Sequence, residues 1–171
     1  GSLSLSSPQP IDLTFKSGVM NTNNFLIQGD SSFLKLTSED SQQNKLNIQM
    51  NSKLDMALLT LFTPFLADMR GSLSSSIQIT GAAMKPQFKG SAFIEKGFVR
   101  LKSFPHPFEE IRADLLLDHD LLSINSLRSE FASGQVTGDG RIQFVGLKSI
   151  PMDIRAQFQK VSLNIPDGVR T

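Results

Sequence analysis

Along most of the chain, hydrophobic and polar residues alternate one by one. Leu73, Ile77 and Ile79 fall on one side of the alternation, with Ser74, Ser76 and Gln78 on the other. After Pro86 the pattern resumes with Phe88, Gly90, Ala92 and Ile94. Side chains of a β-strand point to opposite faces in turn, so a period of two predicts strands with one apolar side. Further segments follow the rule: Ile111, Ala113, Leu115 and Leu117; Leu122 and Ile124; Val136, Gly138, Gly140, Ile142 and Phe144; Met152, Ile154, Ala156 and Phe158; then Val161, Leu163 and Ile165. Gly97 opens a short strand over 98–101, residues 104–108 form a proline-stiffened connection, and Asp118-His119-Asp120 marks a turn. Earlier in the chain, Ile11, Leu13 and Phe15 predict a strand and residues 21–24 a turn. Residues 25–28 and 33–36 predict two more strands, 37–44 a polar loop, and Leu46, Ile48 and Met50 another strand.

One stretch breaks this period. Leu54, Leu58, Leu61, Phe62, Phe65 and Leu66 follow helical spacing, and Ser52 with Asp55 resembles an N-terminal capping pair. The expectation is a single short helix over 53–63, broken near Pro64, with Gly71 able to end the segment. Capping one end of a sheet is its plain role, because its apolar residues need burial. A lid, plug or partner-binding element is the functional alternative.

Ile-Gln-Ile-Thr-Gly-x4-Pro at 77–86 recurs as Ile-Gln-Phe-Val-Gly-x4-Pro at 142–151, an offset of 65 residues (142 − 77). A repeated strand–turn–strand unit implies stacked rungs and an elongated β-structure. Beyond the prolines the apolar parity slips by one residue, as a deletion or a bulge would produce.

Composition narrows the functional classes. Charged residues are 19% of the 171, against about 25% in ordinary domains, so Ser, Thr, Asn and Gln must supply much of the polar surface. The net charge is +1 with no basic stripe, which argues against nucleic acid as a partner. Most of the 13 Phe residues fall in alternating strands, whereas a base-stacking platform interleaves its aromatics with Arg or Lys. The absence of Cys excludes disulfides and thiolate metal sites. No apolar run approaches the roughly 20 residues of a membrane-spanning helix. Residues 1–10 are rich in Ser and Pro and are expected to fray. Gly1-Ser2 reads as the scar of a removed tag, so residues 11–171 are expected to be one β-rich repeat domain excised from a longer protein.

Candidate chemistry is thin. Asp118-His119-Asp120 has no fourth ligand nearby in sequence and reads as a solvated turn rather than a metal site. His106 between prolines reads as part of a rigid loop. Glu109 and Glu110, as strand neighbours, face opposite sides and cannot easily share a substrate. Gly138-Asp139-Gly140 lacks the ending of a phosphate loop, and its glycines suit strand twist or close packing. No Gly-x-Ser-x-Gly elbow occurs. The expectation is a non-enzymatic protein with no cofactor and no metal.

Leu54-Asp55-Met56-Ala57-Leu58-Leu59-x-Leu61-Phe62-x-Pro64-Phe65-Leu66-x-Asp68 precedes Gly71-x-Leu73. Ile77-x-Ile79-x-Gly81-x4-Pro86, Gly90, Gly97-x3-Leu101 and Pro107-x-Glu109-x-Ile111 follow. In this order the motifs, over about residues 54–158, resemble the TamB family (translocation and assembly module proteins) of the AsmA-like superfamily. The resemblance implies an elongated, curved antiparallel-type sheet, a half-pipe or β-taco, with an apolar concave face. It implies a periplasmic segment of a protein anchored in the inner membrane of Gram-negative bacteria. It also implies an Omp85-type barrel partner (TamA-like), reached through the full-length protein, and roles in phospholipid movement and outer-membrane protein assembly.

Alternation alone makes the apolar residues an ordinary core. With the resemblance they become candidates for a groove that holds phospholipid acyl chains: Leu73, Ile77, Ile79, Phe88, Ile94, Val99, Leu101, Ile111, Leu115, Leu117, Ile124, Val136, Ile142, Phe144, Ile154 and Phe158. The alternatives are a structural or adhesive β-domain with no ligand, or a chaperone-like scaffold that pairs unfolded outer-membrane protein strands at its sheet edge.

Overall fold

The computed structural model describes residues 4–16, 19–22, 25–38, 45–62, 66–82, 84–144 and 151–162. Eleven strands follow one another, and all but the first two belong to one sheet. β1 (Thr14–Lys16) and β2 (Val19–Asn21) make a small hairpin of their own. β3 (Phe25–Gln28), β4 (Phe33–Ser38), β5 (Leu46–Asp55), β6 (Leu66–Ala82), β7 (Lys85–Leu101), β8 (Phe108–Asp118), β9 (Leu121–Phe131), β10 (Gly134–Gln143) and β11 (Met152–Gln159) form a nine-stranded antiparallel meander in chain order. The sheet does not close into a barrel: β3 and β11 are its edges. It is the elongated, curved antiparallel sheet expected, with its apolar face concave.

Directly paired residues in an antiparallel ladder point to the same face, so the register reports how the faces are composed. Phe25, Leu36, Met50, Ile77, Gly90, Leu117, Leu122, Ile142 and Met152 are successive partners in one row across all nine strands. The two isoleucines of the sequence repeat therefore occupy the same transverse row. A parallel row runs Ile27, Leu34, Ser52, Ser75, Ala92, Leu115, Ile124, Gly140 and Ile154. Its two serines pair hydroxyl to hydroxyl at 2.7 Å, which satisfies them on an apolar face.

Three strands step by three residues between apolar positions: Ile94 to Gly97, Phe108 to Ile111 and Ile124 to Leu127. Each step coincides with a register shift. Lys96 (φ 49°) and Glu110 (φ 48°) occupy two of these bulges. The extra residue restores parity, so the apolar side stays on one face where a strict period of two would send it outward.

Several expectations change. The helical segment is a 3-10 helix over Met56–Phe62 that lies against β6. Ser52 and Leu54 belong to β5, and Leu66 opens β6. The capping residue is Asp55, whose Oδ1 accepts from the Ala57 N–H at 2.9 Å, while Ser52 faces Ser75. Leu54 and Leu66 fit strand and helical periods equally, and pairing with β6 and β7 decides for strand. Pro64 and Phe65 lie outside the described residues. Gly71 sits inside β6 rather than ending a helix, at a bulge with φ 118°. Residues 98–101 continue β7 through its bulge instead of forming a separate strand. Ile11 and Leu13 precede β1 and are exposed, while the hairpin is tied to β4 through Thr22, whose N–H donates to Ser38 Oγ at 2.9 Å. Asn21 is in β2 and Thr37 in β4, where neighbouring strands extend the pairing. Residues 23–24, 39–44, Leu163 and Ile165 lie outside the described residues, and Val161 follows β11 without joining a strand. The tail is held at Ser6, whose N–H and C=O exchange 2.8 Å hydrogen bonds with Gln28 at the β3 edge.

A Cβ on residue 71 would stand 2.8 Å from the Lys96 carbonyl oxygen and from the Gly97 Cα, at a positive φ that disfavours L side chains. Gly71→Ala is expected to cost about 1–3 kcal/mol, read as a lower urea midpoint at unchanged m-value.

A candidate apolar groove

Of the sixteen candidate residues, all but Phe144 lie on strands of the sheet, and the register places them on one face. Leu73 pairs with Leu54 and Ile94; Ile79 pairs with Ile48 and Phe88. Ile94 continues to Ala113, Leu127, Gly138 and Ala156. Ile111 partners Gly97, Val136 partners Ser129 and Phe158, and Leu66 partners Leu101. Phe144 lies one residue beyond β10 and is exposed, its N–H donating to the Asp120 carbonyl at 2.7 Å.

No second sheet covers this face among the described residues. Ile48 (3% exposed), Ala113 (2%) and Val136 (3%) are nonetheless buried. Curvature explains this: on the concave side neighbouring side chains converge and shield one another. Burial then falls toward one edge. Ile142 is half-buried, and on β11 Ile154 and Phe158 are 48% and 56% exposed. The structure thus brings the candidates together as one surface, closed in places and open toward β11.

At the end carrying the β7–β8 and β9–β10 turns, the face becomes aromatic. Phe131, 4% exposed, is the hub. Its ring stacks on Phe108 at 4.5 Å and on Phe104 at 5.7 Å, and meets Phe158 edge-on at 6.1 Å. His106 lies edge-on at 6.2 Å, so the proline-flanked loop folds over the cluster. Leu101, Phe104, Phe108, Phe131, Phe158 and Val161 line a hollow of about 510 Å³ with no polar side chain in its wall.

The candidate residues leave out Phe131, Phe108, Leu127 and the apolar residues of β3 to β5, which the alternation marks as strands but not as part of this face. The signal was available as the three-residue steps at 108–111 and 124–127. It becomes readable only once a bulge is allowed.

The opposite face is polar and held by side-chain amides and hydroxyls. Gln49 donates to Ser76 at 3.1 Å, Gln78 to Asn47 at 3.3 Å, and Ser126 to Asp114 at 2.6 Å. Arg70 lies 4.0 Å above the Phe98 ring. A larger hollow of about 680 Å³ lies here, with Ser74, Ser76, Ser91, Asp114 and Asn125 around Phe93 and Leu116. Its carboxylate, amide and hydroxyls make it the poorer fit for an apolar ligand despite its size.

The remaining polar candidates are spread apart. His119 forms the β8–β9 turn at φ 60°, with Nδ1 2.7 Å from its neighbour Asp118 and both side chains 56% exposed. Glu109 and Glu110 are exposed beside the β8 bulge. Gly138 and Gly140 pair with Leu127 and Ile124 on either side of the β9 bulge and lie against the β11 backbone. No protein-family profile, curated protein or solved structure matches this chain.

Phe131→Ala is expected to cost about 3–5 kcal/mol, whereas Phe158→Ala, at a half-exposed position, should cost under about 1 kcal/mol. Equilibrium urea denaturation of the two variants checks the contrast.

Proposed function

We propose that this protein is a non-enzymatic segment of a TamB/AsmA-like periplasmic bridge, whose concave face shields phospholipid acyl chains between the inner and outer membranes. In this reading the full-length protein is anchored in the inner membrane, works with an Omp85-type outer-membrane barrel, and supports lipid transport and outer-membrane protein assembly. The observation that carries it is the set of apolar rows running across all nine strands, with no second sheet over them among the described residues. Such a surface suits a ligand that is long, flexible and apolar. Each methylene removed from water contributes about 0.8 kcal/mol, so roughly ten contribute on the order of 8 kcal/mol before the cost of ordering the chain. No polar pocket is needed for binding of this kind, and a tolerant surface accepts acyl chains of varied length.

Half-buried Ile142 separates groove from core. Ile142→Asp should leave the protein folded and cut co-purifying phospholipid by at least tenfold, measured by mass spectrometry of an organic extract. Ala113→Asp, at a buried position, should unfold it. An extract free of phospholipid, together with no crosslinking of photoactivatable acyl chains to Ile77, Ile142 or Ile154, rules the groove out.

A further inference from the structure

The two edges of the sheet differ. The β3 edge is partly occupied, because both main-chain groups of Gln28 are bonded to Ser6. Every residue of β11 is exposed, and Met152, Ile154 and Phe158 reach 64%, 48% and 56%. The strand runs unbroken opposite β10 with no proline and no register shift, and no other strand among the described residues pairs with its far side. Its orientation is defined. The Pro151 carbonyl accepts from the Gln143 N–H, and the Asp153 and Arg155 carbonyls lie against Gly140 and Gly138. Antiparallel alternation therefore turns the main-chain groups of Met152, Ile154 and Ala156 outward.

We infer that β11 pairs with β11 of a second copy of this chain, antiparallel about a two-fold axis at Ile154. Charge selects both the partner and the register. With the axis at Ile154, Asp153 of one copy stands opposite Arg155 of the other, and Met152 opposite Ala156. The ladder within each copy already pairs Arg141 with Asp153 and Asp139 with Arg155. Across the junction the polar face then reads Asp139, Arg155, Asp153, Arg141, alternating in sign, with a symmetry-related row beside it. Moving the axis to Asp153 or to Arg155 sets like charges opposite each other, and moving it to Ala156 leaves both without an oppositely charged partner. The β3 strand, Phe-Leu-Ile-Gln, carries no charge to complement Asp153 or Arg155. A closed two-fold pair is thereby favoured over head-to-tail assembly. The apolar rows run on through Ile154 into the second copy, and the pairing does not depend on what occupies the groove.

The chain has no Cys, which allows a direct test. Sedimentation equilibrium should show a concentration-dependent dimer of twice 18.8 kDa. Ile154→Cys places the two introduced thiols opposite each other at the axis, and mild oxidation should link most of the dimer. Ala156→Cys should crosslink at least tenfold less. Ile154→Pro removes an outward N–H without touching the β10 ladder, and should give a monomer with an unchanged circular dichroism spectrum. If that variant fails to fold, the crosslinking contrast alone decides. A protein that stays monomeric at every concentration, a dimer that survives Ile154→Pro, as face-to-face packing of apolar sides would, or stronger crosslinking at Ala156 overturns the inference.

Discussion

Register carries this fold. In a single sheet with one apolar side, slipping a strand by one residue exchanges its whole apolar set for its polar set. Nine strands hold their faces in common here because each ladder is antiparallel and mostly continuous. Where the spacing of apolar residues becomes odd, a bulge absorbs the difference. The bulges of β7, β8 and β9 are therefore conditions for a single apolar face. Positive φ at Lys96 and Glu110 is the local strain that two of them carry.

From that constraint follow the unequal roles of the two faces. The polar face needs few charges, because serine, asparagine and glutamine pair across strands. That explains how a chain with only 19% charged residues covers so long a sheet. Among the described residues no second sheet lies against the apolar face, so its burial comes from curvature and from local covers. The His106 loop over Phe131 is one such cover. Burial is accordingly graded, from near-complete at Ile48 and Ala113 to half-exposed on β11. A layered sandwich would give uniform burial. Graded burial leaves a surface on which an apolar chain can lie.

Where alternation was strict, its elements are present. β3 spans the predicted 25–28, and β8, β9 and β11 fall where Leu115, Ile124 and Ile154 placed them. The reading failed where two periods coincide. Leu54 and Leu66 satisfy both a helix and a strand, and only long-range pairing with Leu73 and Leu101 separates the two. It also failed where parity breaks. Phe131 looks isolated from Ile124 in sequence but shares its face after the β9 bulge. The candidate face was legible from β6 to β11 but did not extend to β3, β4 and β5, which read as separate strands because only the ladder through Met50 and Ile77 shows that they share its side.

By itself, the order of apolar and polar residues determined that this chain forms successive strands with one apolar side, separated by turns. Only the tertiary structure decided that these strands form one open sheet rather than two packed ones. It alone aligned Ile77 with Ile142, gathered four phenylalanines at one end, and placed β11 at an edge of the described sheet. The physical reason is that alternation is a local property of two neighbouring residues. Register, curvature and edges are properties of pairing between segments far apart in the chain, settled when the main-chain hydrogen bonds of all nine strands are satisfied together.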